Sequence, residues 1–231
     1  MAGKTLVIIP CLNEEKNIQT VIRKVKKSLR RAKVLVVDDG SIDKTRQLVL
    51  SNGAQVVSHP FNLGYGAALQ TGYQYALSNH FDFVCQTDGD DQHYPEFLPQ
   101  LLRAVRKGQC DLALGSRFLG QYPYQMQFLR RLGIFIFNRV IFVLTGQKIT
   151  DPTSGFQAMK KKVIRYYTSD IYPVDFRDAD VLIMAAKKGF RIKELPVKMH
   201  PSDQSKLHSG FKPLYYAFKM FLSIFMTLIR K

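Results

Sequence analysis

The chain has 231 residues, of which 46% are hydrophobic and 16 are Phe, so it can bury the core of a domain and is not a disordered tail. Its three cysteines, Cys11, Cys85 and Cys110, are far apart and form no CxxC pair, which argues against a disulfide framework and a zinc site. The 34 Lys and Arg against 18 Asp and Glu give a formal net charge of +16, which favours a polyanionic partner: a nucleic acid, an anionic membrane surface or a phosphorylated substrate.

The first half of the chain alternates short β-rich runs with helical patterns. The predicted strands are TLVIIP, KVLVVDD, QVVS, FDFVCQ and DLALGS, and the predicted helices between them are NIQTVIRKVKKSL, KTRQLVL, GAALQTGYQYAL and PEFLPQLLRAVRK. The apolar run in MAGKTLVIIP stops at Pro10, too early for a signal peptide, and is interpreted as the first strand. Strands that alternate with helices predict an α/β fold with a mostly parallel sheet flanked by helices.

After Phe118 the regular alternation stops. RRLGIFIFNRVIFVLTG predicts a helix that is apolar on most of its circumference, SGFQAMKKKVIRYY predicts a strand and a helix, and DADVLIMAAKKGFRIKELPVKM predicts a further helix and a final strand. We predict one domain over residues 1–210 and an amphipathic membrane-surface helix over residues 211–231. Lys219 interrupts that helix, whose apolar run of fifteen residues is too short to cross a bilayer alone.

Carboxylates crowd together after the fourth predicted strand, in the stretch QTDGDDQHYPE at residues 86–96. Ionised carboxylates this close repel one another unless a positive or strongly donating group lies among them. One interpretation is a site for a divalent cation of the Mg²⁺ or Mn²⁺ type, which prefers oxygen ligands. The other is a solvated turn that caps a helix, with Pro95 in the first turn.

Nine motifs of the chain stand in the order found in glycosyltransferase family 2, and the chain resembles in particular the dolichyl-phosphate mannosyltransferase and bacterial polyprenyl-phosphate glycosyltransferase branch. The motifs are VIIPCLNEEKNI, VVDDGSIDKT, NLGYGAALQTG, DGDDQHYPE, GSRF, the pair Arg130-Arg131, DPTSGFQA, GFRIKELPV and SKL. They cover nearly the whole chain. The resemblance implies the GT-A fold and a divalent cation, Mg²⁺ or Mn²⁺, as cofactor.

The resemblance also implies roles for the matching positions. The residues expected to bind the base and ribose of a sugar nucleotide are Pro10, Asn13, Glu14 and Asp39. The residues expected to hold the metal are Asp88 and Asp90, the DxD pair that also meets the donor, with Gln92 as a further contact. The residues expected near the acceptor phosphate or donor diphosphate are Arg117, Arg130, Arg131, Ser205 and Lys206. The expected catalytic residues are Asp90 and Asp151, whereas Asp91 is interpreted as a solvated neighbour and His93 and His200 as ordinary histidines.

The expected reaction is inverting transfer of a sugar from a nucleoside-diphosphate sugar to a polyprenyl phosphate, which makes a lipid-linked monosaccharide for cell-surface glycan assembly. A UDP-linked glucose or N-acetylglucosamine is favoured as donor. The protein is expected to be cytoplasmic and peripheral on the inner face of the membrane, with an anionic membrane surface and a small integral membrane protein as partners. The segment HPSDQSK, residues 200–206, stands where the branch carries an arginine-rich stretch, so the contacts of this loop with the acceptor are left open. Many relatives also carry C-terminal transmembrane helices, which are not expected in this sequence.

Two other classes remain open from the sequence. A glycosyltransferase with a saccharide hydroxyl as acceptor would share the donor half of the site but would need a well-placed base. A nucleic-acid-binding module would explain the net charge, but strand ends lined with carboxylates would repel a phosphate backbone. The expected partners therefore include no nucleic acid.

Overall fold

The structure, a computed structural model, describes residues 3–120, 128–169 and 179–200. Within these ranges the chain forms one seven-stranded sheet with helices on both faces. The strands are β1 (Thr5–Cys11), β2 (Lys33–Asp38), β3 (Gln55–Ser58), β4 (Phe83–Gln86), β5 (Leu112–Ser116), β6 (Gln157–Lys160) and β7 (Ile192–Pro196). The helices are α1 (Ile18–Ser28), α2 (Thr45–Ser51), α3 (Tyr65–Ser78), α4 (Leu98–Arg106), α5 (Phe128–Thr145), α6 (Lys161–Tyr167) and α7 (Ala179–Lys187). The predicted tail helix at 211–231 lies outside the described residues.

The strands are ordered β3-β2-β1-β4-β6-β5-β7 across the sheet. The pairs β3-β2, β2-β1, β1-β4 and β5-β7 are parallel, whereas β6 is antiparallel to both β4 and β5. This confirms the predicted α/β fold with a mostly parallel sheet. Because β6 runs against its neighbours, its first residue, Gln157, lies at the same edge of the sheet as the last residue of β4.

The central strand β1 is buried along its whole length. Successive side chains of a strand point to opposite faces, so Leu6 and Ile8 pack into one core with α3, α5, α6 and α7. Val7 and Ile9 pack into the other core with α1, α2 and α4. A parallel strand covered on both faces reads as an unbroken apolar run, which is why TLVIIP shows no alternation. The two cores make the sheet a rigid platform for the loops at its carboxyl edge.

Helix α5 packs only one side against the core. Ile134, Phe137 and Ile141 are buried, whereas Phe135 and Val143 on the other side are 55% and 80% exposed. The sequence prediction of a helix that is apolar on most of its circumference is therefore confirmed, and its outer apolar surface faces away from the core. In the described ranges, no helix combines the length and the apolar character needed to cross a bilayer.

Two helical glycines provide a matched test of how closely α3 packs on the sheet. A Cβ atom at Gly72 would lie 2.6 Å from Ile8 Cγ2, whereas one at Gly133 in α5 would meet no described residue within 4 Å. Both changes to Ala gain helix propensity of about 0.5–1 kcal/mol. We expect Gly133→Ala to raise the free energy of unfolding and Gly72→Ala to lower it by about 1–3 kcal/mol through overpacking. Urea denaturation measures both, and equal stability of the two variants would contradict the packing.

Candidate active site

The carboxyl ends of the parallel strands converge on one edge of the sheet, where open α/β folds bind their ligands. Strand β1 lies between β2 and β4, so the segments that follow these three strands are neighbours. Gly89 shows how closely they approach, because a Cβ atom there would lie 3.0 Å from Cys11 Cβ and 3.4 Å from the Pro10 carbonyl oxygen. The segments after these strands, which carry Glu14, Asp39 and Asp88, therefore lie together.

Asp88 and Asp90 lie in the loop after β4 and are held by neutral donors. The hydroxyl of Tyr65, the first residue of α3, donates to Asp88 Oδ1. Gln92 donates to Asp90 from its backbone nitrogen at 3.0 Å and from its side-chain nitrogen at 2.6 Å. Tyr65 comes from a distant element, and the sequence analysis missed it.

His93 belongs to the same loop, although the sequence suggested an ordinary histidine. Its ring is buried and stacks on Phe156 with centroids 4.9 Å apart. Burial lowers the pKa of His93, so the ring is neutral and its Nδ1 accepts the Asp88 backbone N–H at 3.3 Å. His93 thus fixes the backbone of the first DxD carboxylate.

Asp91 is not the solvated neighbour that we expected. Both of its carboxylate oxygens lie 2.7 Å from Lys24 Nζ on α1. Asp91 has a φ of +60°, in the left-handed region that few side chains adopt. The ion pair therefore ties a strained turn of the DxD loop to α1.

Asp39, expected to bind the nucleoside, is 4% exposed and closes the loop after β3. Its oxygens accept the backbone N–H groups of Leu63 at 3.0 Å and Gly64 at 2.9 Å, and His59 Nδ1 lies 2.6 Å from Oδ1. The other ring nitrogen of His59 lies 2.9 Å from the Thr71 hydroxyl of α3. His59 is a second residue that sequence reasoning missed, since nothing in its local sequence points to Asp39.

The other expected nucleoside-binding residues lie at the end of β1. Pro10 is buried in the strand, Asn13 is exposed and Glu14 is half-buried. The Asn13 backbone nitrogen donates to Ser41 Oγ at 2.9 Å, and that of Glu14 donates to Thr45 Oγ1 at 2.8 Å. These bonds fasten the loop after β1 to the segment after β2.

Asp151, which was expected to lie near the reaction centre, is fully buried. Its oxygens accept a bidentate pair from Arg117, with Nε at 2.7 Å and Nη2 at 2.6 Å, and the Arg117 backbone N–H at 3.0 Å. A carboxylate so engaged with a guanidinium has few lone pairs left to act as a base. Asp151 instead fixes Arg117, whose Nη2 also donates to Thr153 Oγ1 at 2.7 Å.

Glu194 on β7 supports the Asp151–Arg117 ion pair by binding the backbone next to Asp151. It accepts the backbone N–H groups of Thr150 at 2.8 Å and Asp151 at 2.9 Å. Burial raises the pKa of Glu194, and the nearby charge of Asp151 acts in the same direction. Glu194 lies 43 residues from Asp151 in sequence, so the sequence analysis assigned it no role.

A cavity of about 170 Å³ opens beside the DxD loop. Its walls are Tyr65, Asp88, Gln157 and the turn at residues 152–155. Of the expected phosphate-binding residues, Arg131 is exposed on α5. The side chain of Arg130, and both Ser205 and Lys206, lie outside the described residues.

Comparison with known proteins identifies the family. The model of glycosyl transferase family 2 matches residues 6–168, more than half of the chain. The chain belongs to glycosyltransferase family 2. It is 31% identical over 209 residues to the polyprenol monophosphomannose synthase of Mycolicibacterium smegmatis, covering 84% of this chain and 76% of that protein. It is 25% identical over 240 residues to the UDP-N-acetylglucosamine--dolichyl-phosphate N-acetylglucosaminyltransferase of Methanococcus voltae, covering 93% and 95%.

A solved structure confirms the fold of this family 2 glycosyltransferase. Glucosyl-3-phosphoglycerate synthase from Mycobacterium tuberculosis, crystallised with Mn²⁺, UDP and glucosyl-3-phosphoglycerate, matches with a TM-score of 0.73. The match covers 98% of this chain and 80% of that one at 19% sequence identity. The GT-A fold class predicted from the sequence is thereby confirmed.

The donor set of this family 2 glycosyltransferase fits a hard divalent cation. Burial, followed by the charge of Asp88, raises the pKa of Asp90 from its ordinary 3.8 to about 7. Among the described residues, Asp88 and Asp90 accept hydrogen bonds from a tyrosine hydroxyl and the Gln92 amides, none of which carries a positive charge. Within the described residues no three His, Cys, Asp or Glu side chains converge as a metal cage. Mg²⁺ commonly takes one or two carboxylates and completes its shell with substrate phosphates and water, and Asp88 and Asp90 suit that role.

The raised pKa of Asp90 predicts how metal-free stability depends on pH. The folded protein keeps a proton that the unfolded chain releases near pH 4, so ionising Asp90 costs stability as pH rises from about 4 to about 7. Asp90→Asn removes this cost while keeping the side-chain shape. With chelator present, we expect the variant to exceed the wild type by about 1–2 kcal/mol at pH 8, after allowance for partial exposure, and to match it at pH 4.

The control for this measurement is Asp91→Asn, which deletes the carboxylate paired with Lys24 and should give no stabilisation at pH 8. Urea denaturation at the two pH values provides the free energies. A stability difference for Asp90→Asn that is the same at pH 4 and pH 8 would show that its ionisation is not the cause.

Proposed function

We propose that this protein transfers a sugar, with inversion, from a nucleoside-diphosphate sugar to a polyprenyl phosphate in a reaction that requires Mg²⁺ or Mn²⁺. The observation that carries the proposal is the pair Asp88 and Asp90 at the end of β4, where the described residues supply two carboxylates and only neutral hydrogen-bond donors. The names of the two relatives, which act on polyprenol and dolichyl phosphate, support the acceptor class.

The donor binds across the ends of β1, β2 and β4. Asn13 and Glu14 contact its base and ribose, and the loop that Asp39 closes forms the floor of this part of the site. We favour a UDP-linked glucose or N-acetylglucosamine. Asp88 and Asp90 would hold the divalent cation, with Gln92 as a further contact, and the bound cation would offset the charge that develops on the departing diphosphate.

The acceptor phosphate attacks the anomeric carbon and needs no strong base. A phosphate monoester has a second pKa near 6 and is largely dianionic at neutral pH, so an oxygen can attack without losing a proton at that moment. The burial of Asp151 is consistent with this chemistry. Asp151 acts as a positioning residue that holds Arg117 beside the turn at residues 152–155.

Helix α5 suits an acceptor that is charged at one end and apolar along its chain. Arg131 is exposed near the start of α5, and Leu132 and Phe135 beside it are 45% and 55% exposed. A phosphate can pair with the guanidinium while an isoprenoid chain covers the apolar side chains. Arg130, Ser205 and Lys206 complete the proposed phosphate site.

A saccharide hydroxyl as acceptor is the second candidate from the sequence. It would need a general base within hydrogen-bond reach of the hydroxyl. Asp151, the carboxylate expected near the reaction centre, is fully buried against Arg117 and does not meet that need. We therefore favour the lipid phosphate.

The direct test is an assay of purified protein with Mn²⁺, a panel of radiolabelled UDP- and GDP-sugars, and undecaprenyl or dolichyl phosphate in detergent. We expect label in the organic phase as a lipid-linked monosaccharide, and loss of most turnover with chelator or in Asp90→Asn, because charge on the leaving diphosphate is then uncompensated. Label that appears only in protein or water-soluble glycan would favour the hydroxyl acceptor. A salt-dependent shift with random DNA and no turnover would favour a nucleic-acid module.

We further propose that the protein works at the cytoplasmic face of the membrane through the tail at residues 211–231, with a small integral membrane protein as partner. The tail alternates bulky apolar residues with Lys212, Lys219, Arg230 and Lys231. Cationic amphipathic helices bury their apolar face at the headgroup boundary, and each basic residue adds about 1 kcal/mol near an anionic surface.

Deleting the chain from Pro213 onward tests this anchor by sedimentation with anionic liposomes. The full chain should sediment strongly at low salt and weakly at high salt, because salt screens the basic residues. The deletion variant should remain in the supernatant, and Lys219→Glu should show an intermediate loss. A folded deletion variant that sediments as well as the full chain would rule out the tail as anchor.

A further inference from the structure

A second cavity, of about 340 Å³, opens at the amino edge of the sheet, where the parallel strands β1, β2 and β3 begin. Its walls come from the starts of these strands and from the last turn of α3. Strand β1 has seven residues at about 3.3 Å each, so the cavity lies on the order of 20 Å from the carboxyl edge that carries the DxD loop. It is therefore separate from the candidate active site.

Three basic side chains line this cavity, and no acidic side chain does. Lys4 precedes β1, Arg31 precedes β2 and Lys33 begins β2, and all three are exposed and accessible to a ligand. Within the described part of the chain, none of these side chains makes an ion pair or a hydrogen bond. Asp82 accepts the Lys4 backbone N–H at 2.8 Å but does not line the cavity. The positive charge of the cavity is therefore not neutralised by its own walls.

The strand pattern directs charged and neutral donors to the same face of the sheet. Lys33 lies two residues before Leu35, which packs in the core with α3, so both side chains point to the face that α3 covers. Gln55 of β3 points the same way, because Val57 packs against that core. The Tyr75 hydroxyl of α3 donates to Gln55 Oε1 at 3.1 Å, which leaves the Gln55 Nε2 as an uncharged donor at the cavity.

An anion with more than one negative charge fits this set of donors. The end of α3 adds a partial negative charge of about half an electron, which three full positive charges outweigh. Like charges that share a cavity repel one another, and a dianion placed among them relieves that repulsion. A phosphate group brings the charge together with several acceptor oxygens, which lysine and arginine both bind.

We propose that this cavity is a second binding site, which takes a soluble phosphate compound with two or more negative charges. A concave site encloses a small ligand, whereas a flat membrane surface would meet only the rim. A membrane at the amino edge would also turn the carboxyl edge away from the lipid acceptor of the proposed function. Binding at this site needs neither the metal nor the sugar donor, so it stands or falls independently of that function.

The test titrates pyrophosphate into the full chain by isothermal titration calorimetry, with chelator present to remove metal-dependent binding at the DxD loop. The double variant Arg31→Gln, Lys33→Gln deletes two charges of the cavity. We expect it to weaken pyrophosphate about tenfold or more, because hydrogen bonds to charged groups are among the stronger ones. The control is Arg103→Gln, Lys107→Gln, which removes two exposed charges at the end of α4, outside the cavity, and should bind as the wild type does. The two variants have the same net charge, so binding elsewhere on this basic chain is matched.

A second measurement uses the wild type alone, in case a variant does not fold. Exposed lysines are acetylated with a limiting amount of reagent, with and without pyrophosphate, and the label is measured by mass spectrometry. Pyrophosphate should suppress the label on Lys4 and Lys33 and leave the label on Lys107 unchanged. Equal suppression at all three lysines, no suppression, equal Kd values for the two double variants or no binding of pyrophosphate would each overturn the proposal. Protection of Lys4 and Lys33 by phosphatidylglycerol vesicles but not by pyrophosphate would overturn it too, in favour of a membrane surface.

Discussion

Repulsion among carboxylates gathered at one edge of the sheet is the constraint on which the rest of the site depends. The parallel strands carry these groups to the same edge, where each uncompensated negative charge costs folding free energy. At three positions it uses a basic or strongly donating partner. These are the pairs Asp91 with Lys24, Asp151 with Arg117, and Asp39 with His59 and two backbone N–H groups. Each pair also joins two elements that are distant in sequence, so charge compensation and loop placement are the same interaction.

The two carboxylates of the DxD pair have uncharged hydrogen-bond partners instead. Asp88 and Asp90 receive a tyrosine hydroxyl, a neutral imidazole nearby and the amides of Gln92, which orient the carboxylates but add no charge. The raised pKa of Asp90 is the physical sign of that missing charge. A divalent cation held by the two carboxylates would relieve it. The uncompensated negative charge among the described residues is thus the property that would suit this edge to a metal-bound diphosphate in the proposed reaction.

The sequence predicted the strands, the helices and the DxD loop because each is encoded locally, by apolar periodicity or by a short motif after a strand. It did not identify Tyr65, His59 or Glu194, since each meets its partner from an element more than 15 residues away, and no local pattern shows such a contact. It did not show that Asp151 is buried against Arg117, since a motif shows residue order but not burial. The antiparallel direction of β6, which brings Gln157 to the site, depends likewise on tertiary packing.

The pairing of basic side chains inside the fold bears on which acceptor the protein can bind. Arg117 and Lys24 lie beside the acidic edge, and both are engaged by carboxylates. In the proposed reaction the acceptor phosphate would be met by exposed basic residues such as Arg131, which lies next to the outer apolar surface of α5. A water-soluble acceptor gains nothing from that surface. An isoprenoid phosphate could pair with Arg131 and also cover the outer apolar side chains of α5. Because Arg117 and Lys24 are already paired with carboxylates, this arrangement favours an acceptor that arrives from a membrane.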